Sequence, residues 1–366
     1  MRIAIDSRAI LGARTGKGEY SYQILRHLAK IDSKNQYFLY TQRGIPYHFG
    51  ANFHIKRLRL PSILWHLFVW LDLKWILKPD VYLAPVSYII SALGVKNSIV
   101  LIPDLVVFLF PRQHNSKAVF LEKYFLKRAI KQSRKVIAIS RATKRDLKRL
   151  FSLPSSKIEV IYLAADQYHQ KISPSLLAAM RKKYNLPCQF IFCVGTLEPR
   201  KNLIRLIEAY QKLSLKKAYN LVIVGKKGWH YEGIFQRVQQ LNLEKHVRFL
   251  GYVDQKDLPS LYHLATVFVY PSLYEGFGLP PLEAMTCGTP IITSNISSLP
   301  EVVGKAALLI NPRSIPEITN ALNTLLTDDM LRVKLARLGL IQAKKFSWEK
   351  TAREILKIIT SIKYGG

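Results

Sequence analysis

Residues 270–290, YPSLYEGFGLPPLEAMTCGTP, hold the side chains best suited to chemistry. An apolar strand runs out at Ser272, and a carboxylate, Glu275, follows on the turn. Gly276 and Gly278 let the main chain pass close to a ligand with no Cβ in the way. Pro280 and Pro281 suit a helix start, where a missing N–H is no loss. The amides of Gly278 and Leu279 are then expected at a helix N-terminus, a place that favours anions such as a diphosphate. Glu283 lies about one turn further on, placed to point back at the same ligand and accept hydrogen bonds from hydroxyls. The same residues also fit a plain strand-to-helix turn with capping carboxylates, and glycine placement alone does not choose between the two.

A second group follows the apolar run FIFCVG (190–195). Arg200 and Lys201 are two cations that could reach a diphosphate and stabilise charge as it departs; the plainer reading is a solvated helix start. Near the beginning, Gly16, Lys17 and Gly18 come soon after the opening strand RIAID, where backbone amides and one ammonium can approach a phosphate. They lack the third glycine and the Lys-Ser/Thr ending of the known phosphate-loop fingerprints, so an ordinary loop stays open too. No Asp-x-Asp occurs anywhere, so no metal site is expected from that motif.

The elements that must position these residues alternate regularly. Strand-like runs RIAID, YFLYT, VYLAP, SIVLIPD, KVIAIS and IEVIY, with helices between several of them, fill the first half. FIFCVG, NLVIVG, VRFLG, VFVYPS, TPIITS and AALLINP fill the second, with helices expected at 203–213, 234–241, 258–264 and 281–285. Such alternation reads as right-handed βαβ units around parallel sheets. We expect an α/β protein of two Rossmann-like, doubly wound domains, 1–170 and 171–345, facing each other across a cleft. A C-terminal helix, 346–366, with Ser347 as its N-cap, is expected to pack back on the first domain. Ligands of such sheets bind beyond the carboxyl ends of the strands.

Composition narrows the class. Of 366 residues, 49% are hydrophobic and 22% charged, which suits a folded chain rather than a disordered one. Three cysteines without a CxxC pair argue against a disulfide frame or a zinc site. Lys+Arg 55 against Asp+Glu 24 leaves +31, which invites anionic partners. The excess is densest over 117–149, with 12 basic residues against Glu122 and Asp146. That stretch is either a solvated helix face or a surface for anionic lipid. The Trp-rich helix 63–75 adds a core or interfacial face, with Trp65, Leu67 and Trp70 read as core. No zinc finger, RNA-binding aromatic signature or basic zipper accompanies the charge, so nucleic acid is not expected. No apolar run reaches the ~18 to 20 residues of a spanning helix, and no secretory leader is visible. A cytoplasmic protein, peripheral at most on the inner membrane face, is expected.

Taken together, these segments resemble the retaining glycosyltransferases of family 4. Glu275 and Glu283 match the family's E-x7-E signature, and VGTLEPRKNLIRLIEAY (194–210) is similar to its donor-phosphate segment. LVIVGKKGW, FLGYVDQKDLPSLYHLA, TSNISSLPEVVGKAALLINP, GARTGKGEYSYQIL and KVIAISRATKRDL follow its pattern in order across both halves. The resemblance implies the GT-B fold and transfer of a hexose from a nucleotide sugar to a polysaccharide or lipid-linked saccharide, without metal. GDP-mannose is the first expectation, since bacterial mannosyltransferase-like members match best. It also implies catalytic roles for Glu275, Arg200 and Lys201, with Glu275 on the donor hexose and Glu283 on the ribose. Gly276, Phe277, Gly278 and Leu279, with Gly16 and Gly18, are implied around the donor, Tyr252 and Val253 near the base, and Asp104 and Lys17 on the acceptor or sugar side. Besides Lys305, which stands where relatives often carry an acidic residue and is read as a surface change, one position departs: relatives commonly place a histidine where Pro103 stands before Asp104. That keeps open a catalytically impaired binding module. His114 is read as exposed rather than as a replacement, and His66 as packing or interfacial.

Overall fold

The structure is a computed structural model that describes residues 1–11, 16–111 and 116–364. His114 lies outside them. The chain forms two compact units, residues 1–163 with 347–366, and residues 164–346.

The first unit runs β1 (Arg2–Asp6), α1 (Gly16–Ile31), β2 (Gln36–Thr41), β3 (Phe53–Arg57), α2 (Ser62–Leu71), β4 (Val81–Ala84), α3 (Ile89–Ala92), β5 (Ser98–Ile102), α4 (Val106–Leu109), α5 (Ser116–Gln132), β6 (Lys135–Ala138), α6 (Arg141–Phe151) and β7 (Ile158–Val160). Its seven strands lie in the order β3-β2-β1-β4-β5-β6-β7, every pair parallel. The central strands are buried on both faces, as continuous Ile/Val/Leu runs require. Trp65, Tyr40, Tyr82, Ile102, Leu126 and Leu147 share one core.

The second unit runs α7 (Pro174–Lys183), β8 (Phe190–Val194), α8 (Leu203–Gln211), β9 (Asn220–Val224), α9 (Glu232–Gln240), β10 (Val247–Gly251), α10 (Leu258–Leu264), β11 (Val267–Tyr270), α11 (Leu279–Thr286), β12 (Ile291–Ser294), α12 (Leu299–Val303), β13 (Ala307–Ile310), α13 (Ile315–Thr327) and α14 (Asp329–Ala343). Its parallel sheet has the order β10-β9-β8-β11-β12-β13. All six strands expected from the apolar runs are present. α15 (Trp348–Tyr364) then returns to the first unit and packs along α1. Ser347 caps it, its hydroxyl accepting the Lys350 amide at 3.2 Å.

Three features differ from the sequence reading. β3, FHIKR, is a seventh strand that the apolar runs do not announce, because it is an edge strand with His54 and Ile55 exposed. Helix α1 begins at Gly16, so Gly16, Lys17 and Gly18 form its first turn instead of a loop. Leu67 is 45% exposed rather than core, whereas Trp65 is fully buried.

α2 continues into six residues of π-helix, Asp72–Leu77. Trp65, Val69, Leu73 and Leu77, four apart, are all buried. A four-residue step in an α-helix overshoots a full turn by about 40°, and the wider π turn returns Leu77 to the buried line.

Candidate active site

In the second sheet β8 pairs with β9 on one side and β11 on the other. This is where the strand order reverses, and α/β sheets bind ligands in the crevice beyond such a switch. The two chemically loaded loops leave the sheet from these two strands.

After β8 the chain turns through a 3-10 segment, Pro199–Lys201, and Asn202 takes the left-handed conformation that starts α8. Buried Asn202 donates through Nδ2 to Pro271 O (3.0 Å) and Pro312 O (2.6 Å), clamping this loop to the one after β11. The Leu273 amide donates to Arg200 O at 2.8 Å, a second stitch. Gly195 lets the Lys201 side chain lie directly over it, since a Cβ there would stand 3.3 Å from Lys201 Cε. Gly225 closes the same corner, because a Cβ there would stand 1.9 Å from Gly195 O.

Arg200, Lys201 and Glu275 are brought together. Glu275 Oε1 lies 2.6 Å from Lys201 Nζ and 2.8 Å from Arg200 Nη1. It also accepts from Tyr270 OH at 2.8 Å and Ser272 Oγ at 2.7 Å. Lys201 Nζ donates to Tyr270 OH as well, at 2.5 Å. Arg200 reaches back to buried Glu198 through Nη2 and to Tyr274 O through Nη1. Burial alone would raise the Glu275 carboxyl, but Arg200 and Lys201 outweigh it and hold it at about 2. Burial and Arg200 push the Lys201 ammonium down. A carboxylate held so low is a poor proton acceptor near neutral pH, which suits Glu275 to be a fixed negative charge rather than a general base. Burial lifts the Cys193 thiol to about 12, which keeps this cysteine out of nucleophilic chemistry.

The turn after Glu275 has the geometry its glycines and prolines announce. Gly278 sits at φ +114° as the N-cap of α11, with Pro280 and Pro281 in the first turn. Ser297 and Ser298, from the loop after β12, hold that turn. The Glu275 amide donates to Ser297 Oγ at 2.9 Å, and Ser298 Oγ stands 2.8 Å from Glu275 O and 2.6 Å from Phe277 O. Glu283, on α11, accepts from Tyr262 OH at 2.8 Å. Glu275 and Glu283 thus stand on either side of the α11 N-terminus, as E-x7-E spacing across a turn requires.

With this geometry in place, comparison with known proteins is decisive. The chain matches the family model Glycosyltransferase Family 4 over residues 16–167 and Glycosyl transferases group 1 over residues 179–359. It is 36% identical over 282 residues to O-antigen chain mannosyltransferase B of Escherichia coli, covering 76% of this chain and 74% of that protein. The chain belongs to glycosyltransferase family 4. Sucrose-phosphate synthase from Thermosynechococcus elongatus shares the fold with a TM-score of 0.81 at 21% identity, over 100% of both chains. HepE of Anabaena, in complex with UDP-glucose, shares it at 0.79 and 20%, over 99% of this chain and 100% of that one. The two parallel sheets are those of the GT-B glycosyltransferases.

The remaining expected residues of this glycosyltransferase lie elsewhere in its units. Tyr252 and Val253 follow β10, two strands from β8. Tyr252 is 44% exposed and Val253 buried, and Lys226 Nζ stands 4.4 Å above the Tyr252 ring. In the first unit Gly16, Lys17 and Gly18 open α1, while Asp104 follows β5 and accepts the Val106 amide at 3.2 Å. Pro103 beside it is buried. Sequence reasoning missed Glu198, Tyr270, Ser272, Ser297 and Ser298, which hold the charged residues in place. Serines and tyrosines are too common for their type to signal this, though Ser297 and Ser298 fall within a segment that follows the family pattern. Among the described residues, no group of three or more His, Cys, Asp or Glu side chains gathers as metal ligands. None of the described helices is long and apolar enough to cross a membrane.

Proposed function

We propose that this glycosyltransferase is retaining and metal-independent. It moves a hexose, mannose from GDP-mannose first, onto a polysaccharide or lipid-linked saccharide at the cytoplasmic membrane face. The observation that carries the reading is the Arg200–Lys201–Glu275 cluster beside the α11 N-terminus at the switch between β8 and β11. In transfer, the bond from the anomeric carbon to the diphosphate oxygen breaks and a bond to the acceptor hydroxyl oxygen forms. The leaving diphosphate gains charge, and Arg200, Lys201 and the Gly278 and Leu279 amides are placed to stabilise it. The acceptor proton passes to the leaving phosphate, which fits a site whose carboxylate is held too acidic to take it. Glu275 steadies the hexose hydroxyls and Glu283 those of the ribose. Tyr252 and Val253 flank the base. The name of the Escherichia coli mannosyltransferase supports mannose, and the choice of GDP follows from mannose.

A thermal-shift panel of GDP, UDP, ADP and dTDP tests this, because a ligand that binds only the folded state raises its melting temperature. GDP is expected to stabilise and the other three to do so weakly. A flat response to all four counts against a nucleotide-sugar enzyme, and stabilisation by UDP instead moves the donor class.

A further inference from the structure

We propose that a cavity at the carboxyl ends of β1 and β2 binds the phosphate of a lipid-borne substrate. This rests on the reading that the acceptor is lipid-linked. The cavity, about 410 Å³, is lined by Arg8, Leu11, Gln42, Arg43, Gly44 and Pro46. Its described lining residues carry two guanidiniums and an amide, and no carboxylate.

Arg8 is fixed before any ligand arrives. Its Nε and Nη2 hold the two oxygens of buried Asp6 at 3.0 and 2.7 Å. Nη2 also meets His66 Nε2 at 3.0 Å, and the guanidinium stacks 3.8 Å from the Trp65 ring. His66 Nδ1 lies 2.5 Å from Ser62 O, which assigns the imidazole proton to Nδ1 and leaves Nε2 to accept. Burial and Arg8 lower the His66 pKa, in keeping with that neutral ring. Nη1 has no partner among the described residues. Asp6 cancels the Arg8 charge, so Arg43, exposed on the cavity wall, supplies the net attraction for an anion.

The setting of the cavity selects the anion's carrier. Gln42 Nε2 donates to Leu60 O at 2.9 Å, and α2 begins two residues later. From there Ile63 (86%), Leu67 (45%), Phe68 (46%), Trp75 (63%) and Ile76 (72%) stand exposed. A soluble phosphate would use the cavity and leave this apolar face idle, whereas a phosphate on a lipid uses both. Arg57, the last residue of β3, and Arg59, between β3 and α2, are exposed and add the charge that an anionic bilayer complements.

The test is co-sedimentation of the full chain with vesicles of phosphatidylcholine, alone or with a minor fraction of phosphatidic acid. The variants are Arg43→Gln, Lys78→Gln at the exposed residue that follows Leu77, outside the cavity, and the pair Ile63→Ser with Ile76→Ser. Wild type is expected to bind the phosphatidic acid vesicles at least tenfold more tightly than the others. Arg43→Gln should lose at least tenfold, as charge-assisted hydrogen bonds to a phosphate do. Lys78→Gln should lose no more than about fivefold, as for one diffuse surface charge. The serine pair should weaken binding to both vesicles. Equal losses for Arg43→Gln and Lys78→Gln overturn the site. So does Arg43-dependent binding of glycerol phosphate without vesicle binding, or a dimer that the serine pair abolishes with no vesicle binding. GDP stabilisation is read on the same samples. Stabilisation without vesicle binding fails this proposal alone, and Arg43-dependent vesicle binding without nucleotide stabilisation fails the functional reading alone.

Discussion

Glu275→Gln keeps the size and hydrogen-bonding shape of the side chain and removes its charge. The carboxyl falls from 4.5 to about 2 in the folded chain. At about 1.4 kcal/mol for each pH unit, that is about 3 kcal/mol of stability. A depressed carboxylate contributes this in full above pH 4.5, and it is lost as the pH falls toward 2. Urea unfolding at pH 7 is therefore expected to show Glu275→Gln less stable than wild type by about 3 kcal/mol. The variant leaves Arg200 and Lys201 buried with Glu198 alone. Glutamine imitates the protonated acid, so the gap should shrink to roughly half by pH 3. A gap below about 1 kcal/mol at pH 7, or one that does not change between pH 5 and pH 3, refutes the argument that the two cations hold this carboxylate.

Two glycines test the close approaches around the same site. Gly225→Ala puts a Cβ against Gly195 O, a backbone atom 1.9 Å away. It should cost more than about 3 kcal/mol in unfolding and lower transfer along with it, because Lys201 lies over Gly195. Gly278→Ala meets the movable Leu299 Cδ2 at 2.8 Å and a φ of +114°. A loss of roughly 1 to 3 kcal/mol is expected there, and an unchanged melting temperature in either variant contradicts the packing described.

The second unit was the more legible in the sequence because its four central strands, β9, β8, β11 and β12, are buried along almost their whole length. FIFCVG, NLVIVG and TPIITS could be little else. β3 escaped because this edge strand is exposed on both faces, at His54, Ile55 and Arg57, and carries no continuous apolar run. The start of α1 escaped because two glycines within three residues look like a loop, and only the packing of α1 along α15 overrides them. At the site, charge and glycine spacing pointed to Arg200, Lys201, Glu275 and the Gly278 turn. The Ser297–Ser298 clamp reaches that turn from more than twenty residues away, by hydrogen bonds to main-chain atoms that carry no residue-specific signal.

The cluster is neutral before any donor arrives, since Arg200 and Lys201 are matched by Glu198 and Glu275. On the proposed function, its affinity for a diphosphate would come from oriented donors rather than net charge. Lys201 has three N–H groups and uses two, on Tyr270 OH and Glu275, among the described residues. Glu275 therefore competes with the diphosphate for the same cations while fixing where they point. Removing its charge should leave nucleoside diphosphate binding unchanged or up to tenfold tighter. Turnover should fall by ~10² because the cations lose their alignment to the departing charge. Lys201→Ala removes a cation instead, and it should weaken both binding and turnover. Calorimetric titration of the two variants with GDP, set beside their kcat values, separates the roles. If Glu275→Gln loses nucleotide affinity as Lys201→Ala does, the carboxylate contributes to ground-state binding and the competition argued here is wrong.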